Sequence, residues 1–187
     1  MYYNKYNPIT VDIDLLSLCG TFNKRYPGPT GGFLTYYWIN DYVKLFKLFP
    51  DVSLLGPDFI FVAVINGGYS GPDGENDMGP HRDHNTSTVL NWYQTANDCI
   101  TYFYEPKPKV IPFKSEIDTE SNLYTLNDVE VVGEFQAKDN DLYLLNVSKI
   151  HSVKVTKPGP RVFLSMSWTT KSFEEVSEFI RLNTKWN

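Results

Sequence analysis

Apolar residues recur along this chain at two different periods, and the change of period divides it. In 33–49, Tyr36, Ile39, Tyr42, Val43 and Phe46 return at helical spacing and Pro50 closes the run, which predicts a helix over 33–49. Ahead of it, Tyr26-Pro27-Gly28-Pro29-Thr30-Gly31-Gly32 reads as a loop. From Phe59 the pattern becomes short and β-branched. Residues 59–65 form an apolar run between Pro57 and Gly67, the signature of a buried strand. Further strands are predicted at 88–94, 100–105, 129–136, 142–147, 151–156 and 161–168. Residues 66–80, rich in Gly, Pro, Asn and Asp, read as a long loop, and 107–127 as a polar excursion. Lys157-Pro158-Gly159-Pro160 reads as a tight turn joining the last two strands. Ser172-Phe173-Glu174-Glu175 is a capping box that opens a helix with Phe173, Val176 and Ile180 on one face. Short strands with turns between them, and helices only at the ends, predict an antiparallel sandwich or barrel with the 33–49 helix packed outside. The expected layout is one domain over 1–187: a helical part to about 56, a β core over about 57–170, and a C-terminal helix over about 172–183.

Composition narrows the class. At 187 residues, 42% of them hydrophobic, the chain can bury a sizeable core. Aromatics reach 16%, which suits a β-rich interior. The net charge of −5 argues against nucleic acid, whose affinity comes mostly from Lys and Arg on phosphate. Cys19 and Cys99 are far apart and form neither a CxxC nor a disulfide framework, so a reducing cytoplasm is expected. No run of about 18 apolar residues exists, so no transmembrane helix is expected.

The chain has three histidines, and two lie in Pro80-His81-Arg82-Asp83-His84-Asn85. On an extended backbone His81 and Asp83 point to one face, Arg82 and His84 to the other. His81 and Asp83 can therefore share one ion, and His151 is the remaining histidine that can complete the set. Two imidazoles and one carboxylate on one face of a metal leave positions open, which is the facial triad of non-haem iron oxygenases. Arg161 lies ten positions after His151. If the strands on either side of the 157–160 turn pair, its guanidinium points inside the barrel, where it can grip a carboxylate with two parallel hydrogen bonds. Ser165 shares its strand face. Metal and buried arginine together suit a keto-dicarboxylate, chelating at one end and held by Arg161 at the other.

The stretches "PHRDHNTSTVLNWYQ" and "DLYLLNVSKIHSVKVTKPGPRVFLSMSW" resemble the 2-oxoglutarate/Fe(II)-dependent oxygenase superfamily, near its prolyl-hydroxylase-like branch. The matching features are His-x-Asp, a distal His in His-x-Val, and a basic residue about ten later, within roughly 59–168. The resemblance implies a double-stranded β-helix, or jelly roll, with Fe(II) at His81, Asp83 and His151 and the far carboxylate of 2-oxoglutarate at Arg161. It also implies co-substrate contacts at Asn91 and Tyr93, with ascorbate as an optional addition. A hydroxylation consuming O₂ follows, on a protein or peptide side chain such as proline or on a small amino-acid-like molecule. Loop 66–80, with Gly67, Gly68, Gly71 and Gly74 as hinges and Tyr69 near substrate, reads as its lid.

Some positions depart from relatives. Phe163 stands where many carry serine two after the arginine, and serine comes at Ser165. Ser167 replaces the second arginine of nucleic-acid demethylases, while Asp83 retains the carboxylate that halogenating relatives lack. The competing readings are a cupin-like metal enzyme working without 2-oxoglutarate and a non-catalytic jelly-roll binding module.

Overall fold

The computed structural model describes residues 1–27, 33–66, 78–83, 85–114, 122–154, 156 and 159–186. Most of the 66–80 loop with its glycines and Tyr69, together with His84 and the Lys157-Pro158 half of the expected turn, lies outside these residues. Strands dominate: β1 (Tyr3–Tyr6), β2 (Cys19–Pro27), β3 (Phe33–Ile39), β4 (Phe59–Asn66), β5 (Met78–Arg82), β6 (Thr88–Thr95), β7 (Ile100–Pro106), β8 (Phe113–Lys114), β9 (Asn122–Leu123), β10 (Val129–Gln136), β11 (Leu142–Asn146), β12 (Ile150–Lys154) and β13 (Arg161–Trp168). Helices are α1 (Tyr42–Leu48), α2 (Pro50–Leu55) and α3 (Phe173–Asn183). None among the described residues is long and apolar enough to cross a membrane.

The strands form two antiparallel sheets, β1-β11-β6-β13-β4-β3-β2 and β10-β7-β12-β5-β9-β8, the antiparallel sandwich that the strand pattern predicts and the jelly roll that the resemblance implies. At one corner Tyr143 of β11 stacks on Phe135 of β10, centroids 4.0 Å apart. Counting both orders from this corner brings β12 and β5 opposite β13 and β4.

The larger sheet is apolar on both faces, which explains the weak alternation in its sequence. Leu90, Trp92, Leu164, Met166 and Trp168 point outward and pack under Leu45, Phe49, Val52, Phe173, Val176 and Ile180 of the helical layer. Each such side chain contributes about 1.5–3 kcal/mol when fully buried. Val89, Tyr93, Phe103, Phe135, Tyr143 and Leu145 fill the space between the sheets. The indole N–H of Trp92 donates to Ile9 O (2.8 Å) and that of Trp168 to Gly56 O (3.1 Å), so neither buried ring leaves its polar atom unpaired.

Three expectations need correction. The predicted 33–49 helix is strand β3 followed by α1, and the supposedly helical first 56 residues also supply β1 and β2. Leu34, Thr35, Tyr36, Tyr37, Trp38 and Ile39 fit an alternating period as well as a helical one, and pairing with β4 decides between them. Helix formation waits until Asp41, whose carboxylate caps the N–H of Lys44 at 2.8 Å. Pro50 does not end the helical run but sits in the first turn of α2, where its missing N–H costs nothing. Second, β12 and β13 do not pair: β12 lies between β7 and β5, β13 between β6 and β4, so the chain crosses between sheets in 155–160. Third, the 107–127 excursion supplies β8 and β9, and β9 pairs with β5. The capping box at Ser172 and Glu175 is formed in both directions.

Candidate metal centre

Strands β5 and β12 pair with His81 directly opposite His151, a register that puts both imidazoles on the inner face. Their ring centroids are 4.4 Å apart. Asp83 follows β5 by one residue, and its backbone N–H reaches back to Val147 O at 3.3 Å. One Asp83 oxygen lies 3.4 Å from His81 Nε2 and 3.8 Å from His151 Nε2. One ligand atom from each of the three falls within 4.8 Å of the others.

Both imidazoles are oriented in the same way. His81 Nδ1 is 2.8 Å from Gly79 O, and His151 Nδ1 is 3.0 Å from Lys149 O. A carbonyl only accepts, so each Nδ1 carries the hydrogen and each Nε2 faces Asp83. This backbone support fixes the tautomer that a metal requires. Burial, reinforced by the neighbouring His81, pushes His151 down to about 4, so its ring is neutral at neutral pH. Burial acts to raise Asp83, but the flanking His81 and His151 rings, which in their protonated forms donate from His81 and place positive charge beside the carboxylate, outweigh it and hold the carboxyl below its ordinary value. The Asp83 side chain keeps 34% exposure, so solvent screening moderates that effect. Two neutral nitrogens and one anionic oxygen, converging from two strands, form a donor set suited to a divalent first-row metal.

Asn91, Tyr93, Arg161 and Ser165 are all buried, and register brings them together. Ser165 lies opposite Asn91 and Phe163 opposite Tyr93 across β13 and β6. The Arg161 guanidinium sits over the rings of Tyr93 (4.7 Å) and Phe163 (5.1 Å). Among the described residues, Arg161 Nε and Nη1, the Tyr93 hydroxyl and Asn91 Oδ1 are buried without a hydrogen-bond partner. Unpaired buried polar groups cost about 1–3 kcal/mol each and charged ones more, so such a cluster suits an anionic, hydrogen-bonding ligand. Arg161 thus points inward as expected, although from the sheet facing His151 rather than from a paired strand.

Thr101 belongs to the same group and no sequence motif singles it out. Its hydroxyl is buried and unpartnered among the described residues. It shares the inner face of β7 with Phe103, whose ring centroid is 6.2 Å from that of His151. The carbonyls of Gly79 and Lys149 are equally silent in sequence. Arg82, on the other face of β5, sits 5.9 Å over the Tyr124 ring, away from the triad.

No protein-family model matches the chain, and no curated protein does either. The chain is similar to several solved structures. The non-heme α-ketoglutarate-dependent epimerase SnoN from nogalamycin biosynthesis superposes with a TM-score of 0.51 at 12% identity, covering 88% of this chain and 77% of that one. The Escherichia coli ribosomal oxygenase YcfD gives 0.44 at 14% identity, covering 90% of this chain but 42% of that one. A Pseudomonas putida prolyl-4-hydroxylase gives 0.34 at 7% identity. At 12% identity the likeness to SnoN is one of fold.

Proposed function

We propose that the chain is a 2-oxoglutarate- and Fe(II)-dependent dioxygenase, one oxygenase domain over 1–187, that hydroxylates a protein side chain, proline included, or a small amino-acid-like molecule. The observation that carries this reading is the pairing of two features on facing inner surfaces. One is a His81–Asp83–His151 donor set with both Nε2 atoms directed at it. The other is a buried guanidinium with unused donors on the facing sheet. The fold hosts many activities and is not itself the argument. SnoN, described as α-ketoglutarate-dependent and an epimerase, shares that fold while taking its substrate to a different outcome.

The residues present fit the group. His81 and His151 would donate through Nε2 and Asp83 through its carboxylate, leaving the remaining positions to co-substrate and O₂. With 2-oxoglutarate bound, iron supplies the oxidising chemistry, in which the keto acid leaves as succinate and CO₂. Arg161 holds the far carboxylate, and the rings of Tyr93 and Phe163 flank its guanidinium. Asn91, Tyr93 and Ser165 are the further polar contacts. Two cysteines far apart in the sequence and without a CxxC suit a cytoplasmic enzyme. With a net charge of −5 the chain suits protein or small-molecule substrates better than nucleic acid.

The test is anaerobic loading with Fe(II) and 2-oxoglutarate, then O₂, with succinate measured across a panel of peptides and amino acids. Succinate that depends on both iron and O₂, and a product heavier by one oxygen atom, are expected. Metal binding without succinate release under any condition favours the cupin-like alternative.

A further inference from the structure

The proposed function gives Thr101 no task. The residue is 1% exposed, and its hydroxyl has no hydrogen-bond partner among the described residues. Leaving a buried hydroxyl unpaired opposes folding, and valine fills the same shape without that cost. The hydroxyl therefore points to a ligand rather than to core packing.

Register fixes where it lies. On the smaller sheet Phe103 stands beside His151 and Thr101 beside Val153. Thr101 is thus one inward-facing position, about 6–7 Å of strand, beyond the row of the triad. The step leads toward the end of β12 from which the chain crosses to the larger sheet, and Arg161 opens β13 after that crossing. Two hydrogen bonds hold the turn before β7 against the crossing segment. Asn97 Nδ2 donates to Gly159 O at 2.9 Å, and Thr156 Oγ1 donates to Asp98 O at 2.8 Å. Thr101 follows Asp98 by three residues and Arg161 follows Gly159 by two, so both leave from the same end of the sandwich.

The facing sheet completes the arrangement. Counted from the corner of β10 and β11, β7 lies opposite β6, which carries Asn91 and Tyr93. Phe135, beside Thr101 on β10, stacks on Tyr143, and the Tyr143 ring lies 6.3 Å from that of Tyr93. Tyr93 in turn lies under the Arg161 guanidinium at 4.7 Å. Hydroxyl and guanidinium enter the space between the sheets from opposite walls, on the same side of the triad.

We propose that Thr101 binds the co-substrate: its hydroxyl donates to the far carboxylate that Arg161 grips, so the keto diacid is held from both sheets. A carboxylate has about four lone-pair sites and a guanidinium fork fills two, which leaves a place for a donor from the facing strand. The proposal rests on the oxygenase reading above and adds to it a contact from the sheet that carries the two histidines.

The experiment compares the parent with Thr101→Val and Thr101→Ser. Anaerobic calorimetry reads 2-oxoglutarate and 2-oxopentanoate on the Co(II)-loaded proteins, and thermal scans read the metal-free proteins. Thr101→Val should weaken 2-oxoglutarate by about 10-fold or more, the scale of a hydrogen bond to a charged group. Its Co(II) affinity should be unchanged and its Tm should not fall. Thr101→Ser, which keeps the hydroxyl, should restore most of the affinity. 2-Oxopentanoate has the keto acid end but no far carboxylate, and should lose nothing on Thr101→Val. Unchanged 2-oxoglutarate affinity in Thr101→Val, an equal loss for 2-oxopentanoate, or a Tm that falls with the affinity overturns the proposal. A parent that binds 2-oxoglutarate through Thr101 but never releases succinate keeps the contact and sinks the oxygenase reading. Succinate release with the same 2-oxoglutarate requirement in parent and Thr101→Val does the reverse, and a parent that binds no 2-oxoglutarate ends both.

Discussion

His81 and His151 face each other across one antiparallel pair, at matched register positions of β5 and β12, with ring centroids 4.4 Å apart. Strand pairing rather than side-chain flexibility sets that separation. Each ring is also tied through Nδ1 to a carbonyl two residues before it, Gly79 or Lys149. The site is thus organised before any ion arrives, so little ordering entropy opposes binding.

Removing either ring should therefore act on the ion and not on the fold. For His151→Ala we expect the Co(II) and Fe(II) affinity to fall by more than about 100-fold, because loss of a mere supporting partner already costs 10–100-fold. Anaerobic calorimetry reads the affinity, and circular dichroism should be unchanged. Wild-type affinity in this variant is incompatible with the assigned site.

Arg161 is 2% exposed and holds unused donors among the described residues. A buried charge in this state works against stability, and apolar replacement of such groups is often stabilising. Arg161→Met should raise Tm by about 2–4 °C, the shift that about 1 kcal/mol produces at this size. Saturating 2-oxoglutarate should stabilise the parent protein, by about 2.7 kcal/mol at 100 times Kd, and so raise its Tm, while leaving the variant unmoved. Thermal scans with and without the keto acid check both halves. Equal stabilisation of the two proteins would remove Arg161 from the co-substrate site.

The parts of this architecture that could be read from sequence are those carried by local pattern. β10 and β13 begin and end where alternation and flanking turns place them, and the Ser172 box opens α3. The triad was legible because His-x-Asp fixes two ligands on one strand face and few histidines remain to supply the third. Pairing was not legible. Nothing local says that β12 and β13 belong to different sheets, since a turn of Pro and Gly serves a hairpin and a crossing alike. For 33–39, helical and alternating periods fit the same aromatics, and the partner strand β4 settles the matter. The β3–β4 ring contacts have a signal in the sequence: aromatics two apart at Tyr36/Trp38 and again at Phe59/Phe61. Thr101 had none, because a threonine in a strand is ordinary until its hydroxyl is seen to lack a partner.

Asp58 gives a prediction about acid. The backbone N–H of Thr169, then its hydroxyl, holds the Asp58 carboxyl below its ordinary value, with Lys171 adding to this. A depressed carboxyl contributes stability that is present above its unfolded pKa, about 3.9, and is lost as pH falls through the lower folded value. Asp58→Asn should therefore be less stable than the parent at pH 7, with the gap closing below about pH 4. Urea midpoints at pH 7, 5 and 3 measure it. A gap that widens in acid would mean the carboxylate is not what ties β4 to the segment after β13.

Leu164 and Phe163 are neighbours on β13 that face opposite layers, and they should fail in opposite ways. Leu164 is fully buried on the outer face under the helices. Leu164→Ala should cost about 2–5 kcal/mol through lost burial and a residual cavity. That lowers Tm by about 4–20 °C at this chain length. Phe163 is partly exposed on the inner face and lies 5.1 Å from the Arg161 guanidinium and 5.6 Å from the Tyr93 ring. Phe163→Leu keeps apolar bulk but removes the ring face that steadies the guanidinium. Its Tm should move less than that of Leu164→Ala, while the apparent requirement for 2-oxoglutarate rises and metal affinity does not change. If instead Leu164→Ala shifts the co-substrate requirement and Phe163→Leu only destabilises, the two faces of this sheet do not divide the work of folding and binding as their contacts indicate.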